Sequence, residues 1–376
     1  MQKSICILSY SDIAQDGRVL RQVQYLSHEY ELTIIGHGIP HPSYPPGECM
    51  HWVEVPRGKR SFHRMIADLL RILRYATGLV DRPEVLKSAI SSKCDAYHAN
   101  NWDALPVAAE AARQNHARLV LDIHESLDVS NGWLYYTLNK AVVKRYAKQI
   151  DACTTVVSAI ANRYRQIFGL DPIVLMNAPA LPPVKILSKK TDPNKIRLIH
   201  HGVASPTRRT DLMIKTIAQC DVRYELHLVF TNLASAYVTR LRRLADQIAP
   251  GRVIFHPAFS PREIVQEIAN YDVGFFPLPP TNYNYIITLP NKFFEFIAAG
   301  LAVCIGPSLS MAEIVKNYGC GVVAASFEPA VLAGVLNQTT AVEWDEMRQA
   351  SLRAAQLLNA DVEMGKLSQI YHELLT

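Results

Sequence analysis

The first constraint is an alternation of strand-like and helix-like segments. Ser4-Ile5-Cys6-Ile7-Leu8-Ser9-Tyr10 is a short apolar run that ends in a polar loop. Asp16 then stands as an N-cap before Val19, Leu20, Val23 and Leu26 at helical spacing, and Glu31-Leu32-Thr33-Ile34-Ile35-Gly36 returns as a strand. Strand, helix and strand with short joins make a parallel sheet with a right-handed crossover. The pattern repeats through Asp95–Asn100, the Leu105–Asn115 helix, Leu119–Asp122, Thr154–Ser158, the Ala159–Phe168 helix and Pro172–Pro179. A Pro- and Lys-rich stretch without apolar period follows, and a second alternating series opens at Lys195-Ile196-Arg197-Leu198-Ile199-His200-His201-Gly202. The fold class is therefore α/β, with two doubly wound parallel-sheet domains at 1–178 and 195–358, a linker at 179–194 and a terminal helix at 359–376. Val362, Met364, Leu367, Ile370, Tyr371 and Leu374 give that helix its apolar face.

Composition agrees with two ordinary globular domains: 376 residues, 49% hydrophobic and 19% charged. The N-terminal apolar run is too short for a signal peptide and no uncharged run is long enough to span a bilayer, so the expected location is the cytoplasm. Seven cysteines are scattered singly without CxxC or zinc spacing and read as reduced structural residues, with no metal site. The loop from Ser11 to Gly17 has no GxGxxG pattern, which disfavours dehydrogenase chemistry. A net charge of +5 favours anionic partners such as a nucleotide or a membrane surface.

The chemically richest stretch is Leu289-Pro290-Asn291-Lys292-Phe293-Phe294-Glu295-Phe296-Ile297-Ala298-Ala299-Gly300, which runs into Leu301-Ala302-Val303-Cys304-Ile305. Pro near its start and Gly past its end suit a short helix feeding a strand. At about 100° per residue, Phe293, Phe296, Ile297 and Gly300 face a core, while Asn291, Glu295 and Ala299 fall opposite. Free N–H groups at the helix start make an anion site, and the Glu295 carboxylate one turn further in can accept from sugar hydroxyls. A surface Glu on an amphipathic helix is the plain alternative.

This stretch, preceded by Tyr271-Asp272-Val273-Gly274-Phe275-Phe276-Pro277, resembles the donor-binding signature of GT-B glycosyltransferases, above all the retaining enzymes of family 4. The resemblance implies two Rossmann-like domains facing across a cleft. It also implies transfer of a sugar from a nucleoside-diphosphate sugar, UDP- or GDP-linked, to a glycan or lipid-linked acceptor hydroxyl in bacterial-type polysaccharide or glycolipid synthesis. No metal and no nucleic acid are expected. Glu295 matches the ribose-binding Glu, the second of a pair separated by seven residues. Ile287 stands where the first Glu would lie, a departure shared with variants of this LPNK type.

The remaining candidates follow from strand ends and from the resemblance. Gly202, Arg208 and Arg209, with Pro290, Asn291 and Lys292, are the donor-binding set, the last two through backbone groups. Val203 stands where the family carries Arg, and a basic surface turn is the alternative for Arg208 and Arg209. The loop His256–Phe259 matches the base-contacting segment, and Pro277–Thr288 is expected to be a mobile loop over the sugar. His124 is the catalytic candidate, positioned beside the donor sugar; Arg18 and Asp103 are the acceptor-side candidates. A surface charge is the alternative for Arg18, and helix capping is the reading preferred for Asp103, as strand packing is for His98. With Ile287 apolar no side chain is a convincing nucleophile, so the expectation is retention by same-face displacement, with charge on the leaving diphosphate stabilised by helix amides and Arg side chains. Two rivals stand beside this reading: a GT-B sugar-nucleotide epimerase and a non-catalytic GT-B partner subunit.

From Arg57 to Arg74, six basic residues oppose only Asp68, while Phe62, Met65, Ile66, Leu69, Leu70, Leu73 and Ala76 recur at helical spacing. A solvated basic face over a packed core is the reading taken, and peripheral contact with an anionic membrane at its inner face is the alternative. The two separate in a flotation assay: if the helix lies on the membrane, Arg64→Glu, Arg71→Glu and Arg74→Glu together abolish binding to anionic liposomes, and unchanged binding rejects it.

Overall fold

The computed structural model describes the chain except residues 1, 14–15, 39–49, 56–69, 71–73, 75–81, 125, 128–132, 185, 187–188 and 261–262, and except the side chains of 134, 135 and 138. The basic stretch 57–74 therefore lies outside the described residues apart from Leu70 and Arg74. The chain divides into two compact units, Met1–Met176 with Glu363–Thr376, and Asn177–Val362. Among the described residues, no helix is long and apolar enough to cross a membrane.

The first unit holds a seven-stranded sheet in the order β3-β2-β1-β4-β5-β6-β7. Its strands are β1 (Ser4–Asp12), β2 (Glu31–His37), β3 (Met50–Glu54), β4 (Ala96–Asn100), β5 (Arg118–Ile123), β6 (Ala152–Thr155) and β7 (Ile173–Val174). Every pairing is parallel. Parallel sheets are covered on both faces, which is why Ile5, Cys6, Ile7 and Leu8 are all buried rather than alternating. β1 runs two residues past Tyr10, with a register shift between Ser9 and Asp12 that the polar letters Ser11 and Asp12 conceal. The first helix, Gly17–Leu26, starts where expected, the Asp16 carboxylate accepting from the Arg18 and Val19 N–H groups. Asp103, by contrast, does not cap the Leu105–Asn115 helix: Ala104 is the N-cap, without a side-chain bond. Pro106 sets the backbone in that first turn instead.

The second unit holds a six-stranded parallel sheet, β10-β9-β8-β11-β12-β13. These are β8 (Ile196–Gly202), β9 (Tyr224–Phe230), β10 (Val253–Pro257), β11 (Val273–Phe276), β12 (Ala302–Ile305) and β13 (Gly321–Val323). Part of the Pro- and Lys-rich stretch is bound to this unit, since Thr191 donates to Asp345 and Arg348 donates to the Lys189 carbonyl. The region 277–288 is not loop throughout. Asn282 caps a short helix, Tyr283–Ile287, by accepting from the Tyr285 N–H at 2.9 Å, and Ile287 is 2% exposed. An apolar residue at 287 is thus a packing residue, and Ser310 Oγ donates to its carbonyl at 2.8 Å.

The last helix, Ala360–Leu375, begins in the second unit and completes the first. Met364, Leu367 and Tyr371 join Ile5, Ile7, Val19, Leu32 and Ile34 in one apolar cluster. Tyr371 Oη also shares a 2.6 Å hydrogen bond with buried His98 Nδ1. Tyr371→Ala is therefore expected to cost about 3–5 kcal/mol, as truncation of a buried aromatic does. Hydrogen exchange should report the loss at the β1 amides and leave the β12 amides unchanged.

Candidate functional site

In both sheets the strand order reverses next to the first strand, between β1 and β4 and between β8 and β11. Ligands of open α/β sheets bind beyond the carboxyl ends of strands at such points. In the second unit β8 ends there at Gly202, whose φ of +120° is a conformation only glycine adopts easily. A Cβ at this position would stand 3.0 Å from Lys292 Nζ and 3.7 Å from Arg208 Nη1. Gly202 is thus a bare spot on which two cationic side chains converge.

Lys292 reaches it from the Asn291–Ala298 helix, whose N-cap is Pro290 in extended conformation with no side-chain bond to the first N–H groups. That terminus is left open to an acceptor, and its dipole favours an anion. The helix buries far more than one stripe. Lys292, Phe293, Phe294, Phe296, Ile297, Ala298 and Ala299 are all buried, and the Ala341–Ala355 helix is among the elements packed against this one. The placing of Ala299 away from the core is corrected accordingly. Asn291 remains exposed and the Glu295 side chain 19% exposed, one turn apart on the open face.

The electrostatics here are unusual. Lys292 is only 7% exposed. Its Nζ donates to the His201 carbonyl at 2.6 Å, lies 3.4 Å from His200 Nε2 and sits 4.8 Å from the Phe276 ring centroid. Burial, with Arg208 adding repulsion and Glu295 opposing it, brings the ammonium down to about 7. Burial and Lys292 push His201 to about 3, so its imidazole is neutral and its 3.3 Å approach to Glu295 Oε2 is not an ion pair. His200 is likewise held well below its usual value, by burial first and Lys292 second. Arg208 is half-buried, its Nη1 donating to the Val203 carbonyl at 3.4 Å. Arg209 is exposed and turned to Asp211 at 3.0 Å, so the two Arg residues are not equivalent. His256 lies in β10 rather than a loop and is 2.9 Å from His227.

The first unit centres on Asp122, a fully buried carboxylate at the end of β5. Arg18 Nε and Nη2 each donate to it at 2.6 Å, Gln22 Nε2 at 2.6 Å and Thr154 Oγ1 at 2.7 Å. His124 Nε2 is 2.9 Å from Asp122 Oδ2, and Asn101 Oδ1 accepts from the His124 N–H at 3.1 Å. Burial alone would raise Asp122, yet Arg18 and His124 hold it well below the usual carboxylate range. Bound through Nε2, the His124 ring turns its Nδ1 edge away from Asp122. Arg18 is neither a surface charge nor an acceptor-facing arm: it is 4% exposed, with Nη1 donating to the Leu175 carbonyl at 2.8 Å. Its physical task is to neutralise Asp122. His98 packs inside the sheet, where burial lowers it to about 4.

Sequence reasoning missed Asp122, His201 and the Lys292 side chain. Asp122 and His124 were legible as a pair, because residues two apart on a strand share a side. Lys292 carried no signal, since a Lys beside two Phe residues reads as a solvated end.

Residues 18–177 match the family model described as glycosyltransferase family 4. No curated protein matches the chain. Among solved structures, HepE of Anabaena in complex with UDP and glucose is 16% identical with a TM-score of 0.69, over 99% of this chain and 100% of that one. Sucrose-phosphate synthase from Thermosynechococcus elongatus is 13% identical with a TM-score of 0.71, over 99% of both chains. A glycosyltransferase from Rickettsia africae is 12% identical with a TM-score of 0.69, over 100% of this chain and 99% of that one. At these identities the likeness establishes the fold, which is GT-B.

The Lys292 burial has a measurable sign. A lysine lowered from 10.5 to about 7 destabilises the fold below pH 7, and that penalty disappears as pH rises to about 10.5. Lys292→Met should therefore raise the melting temperature of the ligand-free protein at pH 7, with the advantage shrinking by pH 10. Differential scanning calorimetry at the two pH values checks it.

Proposed function

We propose that this protein is a glycosyltransferase, moving a sugar from a nucleoside-diphosphate sugar to an acceptor hydroxyl with retention, in the making of a polysaccharide or glycolipid. The observation that carries the reading is the open N-terminus of the Asn291–Ala298 helix at the second sheet's switch point, with Glu295 on its exposed face and Gly202 and Arg208 beside it. The helix amides and Arg208 would take the diphosphate and Glu295 the ribose hydroxyls. The UDP and glucose in complex with HepE make a UDP-sugar the first donor to test.

Departure of the diphosphate is the hard step, and preorganised donors aimed at its oxygens supply the stabilisation. Among the described residues no three His, Cys, Asp or Glu side chains converge as a metal-ligand set, and no metal enters the proposal. Ile287 leaves no carboxylate nucleophile at its position, so the reaction is read as same-face displacement with the leaving phosphate oxygen receiving the acceptor proton. His124, held by Asp122 and Asn101, is by the family resemblance the residue read as orienting the sugar, and the acceptor would be a glycan or a lipid-linked glycan at a membrane surface.

Calorimetry without added metal tests the donor site. UDP or GDP should bind, and Glu295→Ala should weaken that binding about tenfold, the worth of one charge-assisted hydrogen bond. Failure of every nucleoside diphosphate to bind folded protein would replace this reading with a non-catalytic subunit. With an acceptor in hand, His124→Ala should lower kcat about 100-fold through lost orientation, and the anomeric proton coupling of the product should show retention.

A further inference from the structure

Lys292 is a buried cation without a buried counter-charge. Among the described residues its ammonium has a carbonyl, a neutral imidazole and an aromatic face around it, and no carboxylate at ion-pair distance. Fold stability does not ask for such a group, since a buried charge that lacks its partner is costly and an apolar side chain of similar length would fill the space. Its open side faces the bare Gly202, where the Arg208 guanidinium also arrives, and it stands on the second residue of a helix whose first amides are uncapped. Beside it His201 Nε2, in a side chain only 9% exposed, has no hydrogen-bond partner. Two cations, free amides and an unsatisfied ring nitrogen in one place describe a site shaped for a multiply charged anion.

Resting on the donor-site reading above, we propose that the Lys292 side chain is the internal counter-charge of the donor's diphosphate, and that donor binding draws one proton from solvent onto its Nζ. The balance is simple: the neutral amine, populated in the ligand-free protein above pH 7, gains a proton, and the diphosphate supplies the negative charge that keeps it there. The groups facing Nζ are His200 and His201 of β8, Arg208 of the following turn and Glu295 of its own helix. Burial holds both imidazoles neutral above pH 7, so Lys292 is the group expected to change between pH 7.5 and 8.5.

The test is calorimetric titration with UDP, GDP and phosphate-free uridine and guanosine at pH 8, in two buffers of different ionisation heat. The wild-type protein should take up close to one proton per diphosphate bound, and Kd should rise several-fold to about tenfold from pH 7.5 to 8.5. Lys292→Met should bind about tenfold or more weakly at pH 7, take up no proton and show a flat pH profile. Arg208→Gln should weaken binding but keep the uptake, with its onset moved to higher pH because the repulsion on Lys292 is gone. Diphosphate binding without proton uptake, or uptake that survives in Lys292→Met, overturns the assignment while leaving the donor site standing. Absence of any nucleotide binding by folded wild-type protein overturns both.

Discussion

All-parallel pairing governs this molecule. Each strand of a parallel sheet must be returned by a crossover, so every carboxyl end in a unit opens on one side and both faces are covered. Polar side chains are then admissible mainly at those ends, and the chain obeys: Asn100 and Asp122 lie at the ends of their strands in the first unit as His200, His201 and Gly202 close β8 in the second. What can become a site is settled by topology before any ligand is considered.

The two units place charge in this shared setting in opposite ways. Asp122 is surrounded by donors, with a guanidinium on both oxygens, so that it acts as a fixed strut under His124. Removing a partner from such a buried pair costs about 3–5 kcal/mol. Lys292 is under-compensated, and its protonation is left open to whatever approaches Gly202. One arrangement holds a side chain still; the other leaves a charge ready to respond.

Much of this was legible in the letters. The alternation gave both sheets, Asp16 declared its helix start, and Glu295 stood out by its place one turn inside an uncapped helix. What escaped depends on contacts remote in sequence. Arg18 and Asp122 meet across most of the first unit, so neither residue's neighbours announce a buried pair. The burial of Ala299 is a tertiary effect that the helical period does not carry, and the short helix ending at Ile287 is concealed in a run of Pro, Asn and Tyr that reads as turn. Local pattern identifies elements; it does not say which polar side chain the tertiary fold will take inside.

One consequence concerns the order of events at the ribosome. The apolar cluster of the first unit includes Met364, Leu367 and Tyr371, which are synthesised only after the whole of Asn177–Val362. The second unit can therefore be complete as it emerges, while the earlier-made first unit waits with an open groove beside β1. During that interval the nascent chain exposes a greasy surface that chaperones can hold, and its final closure comes after translation has passed every strand.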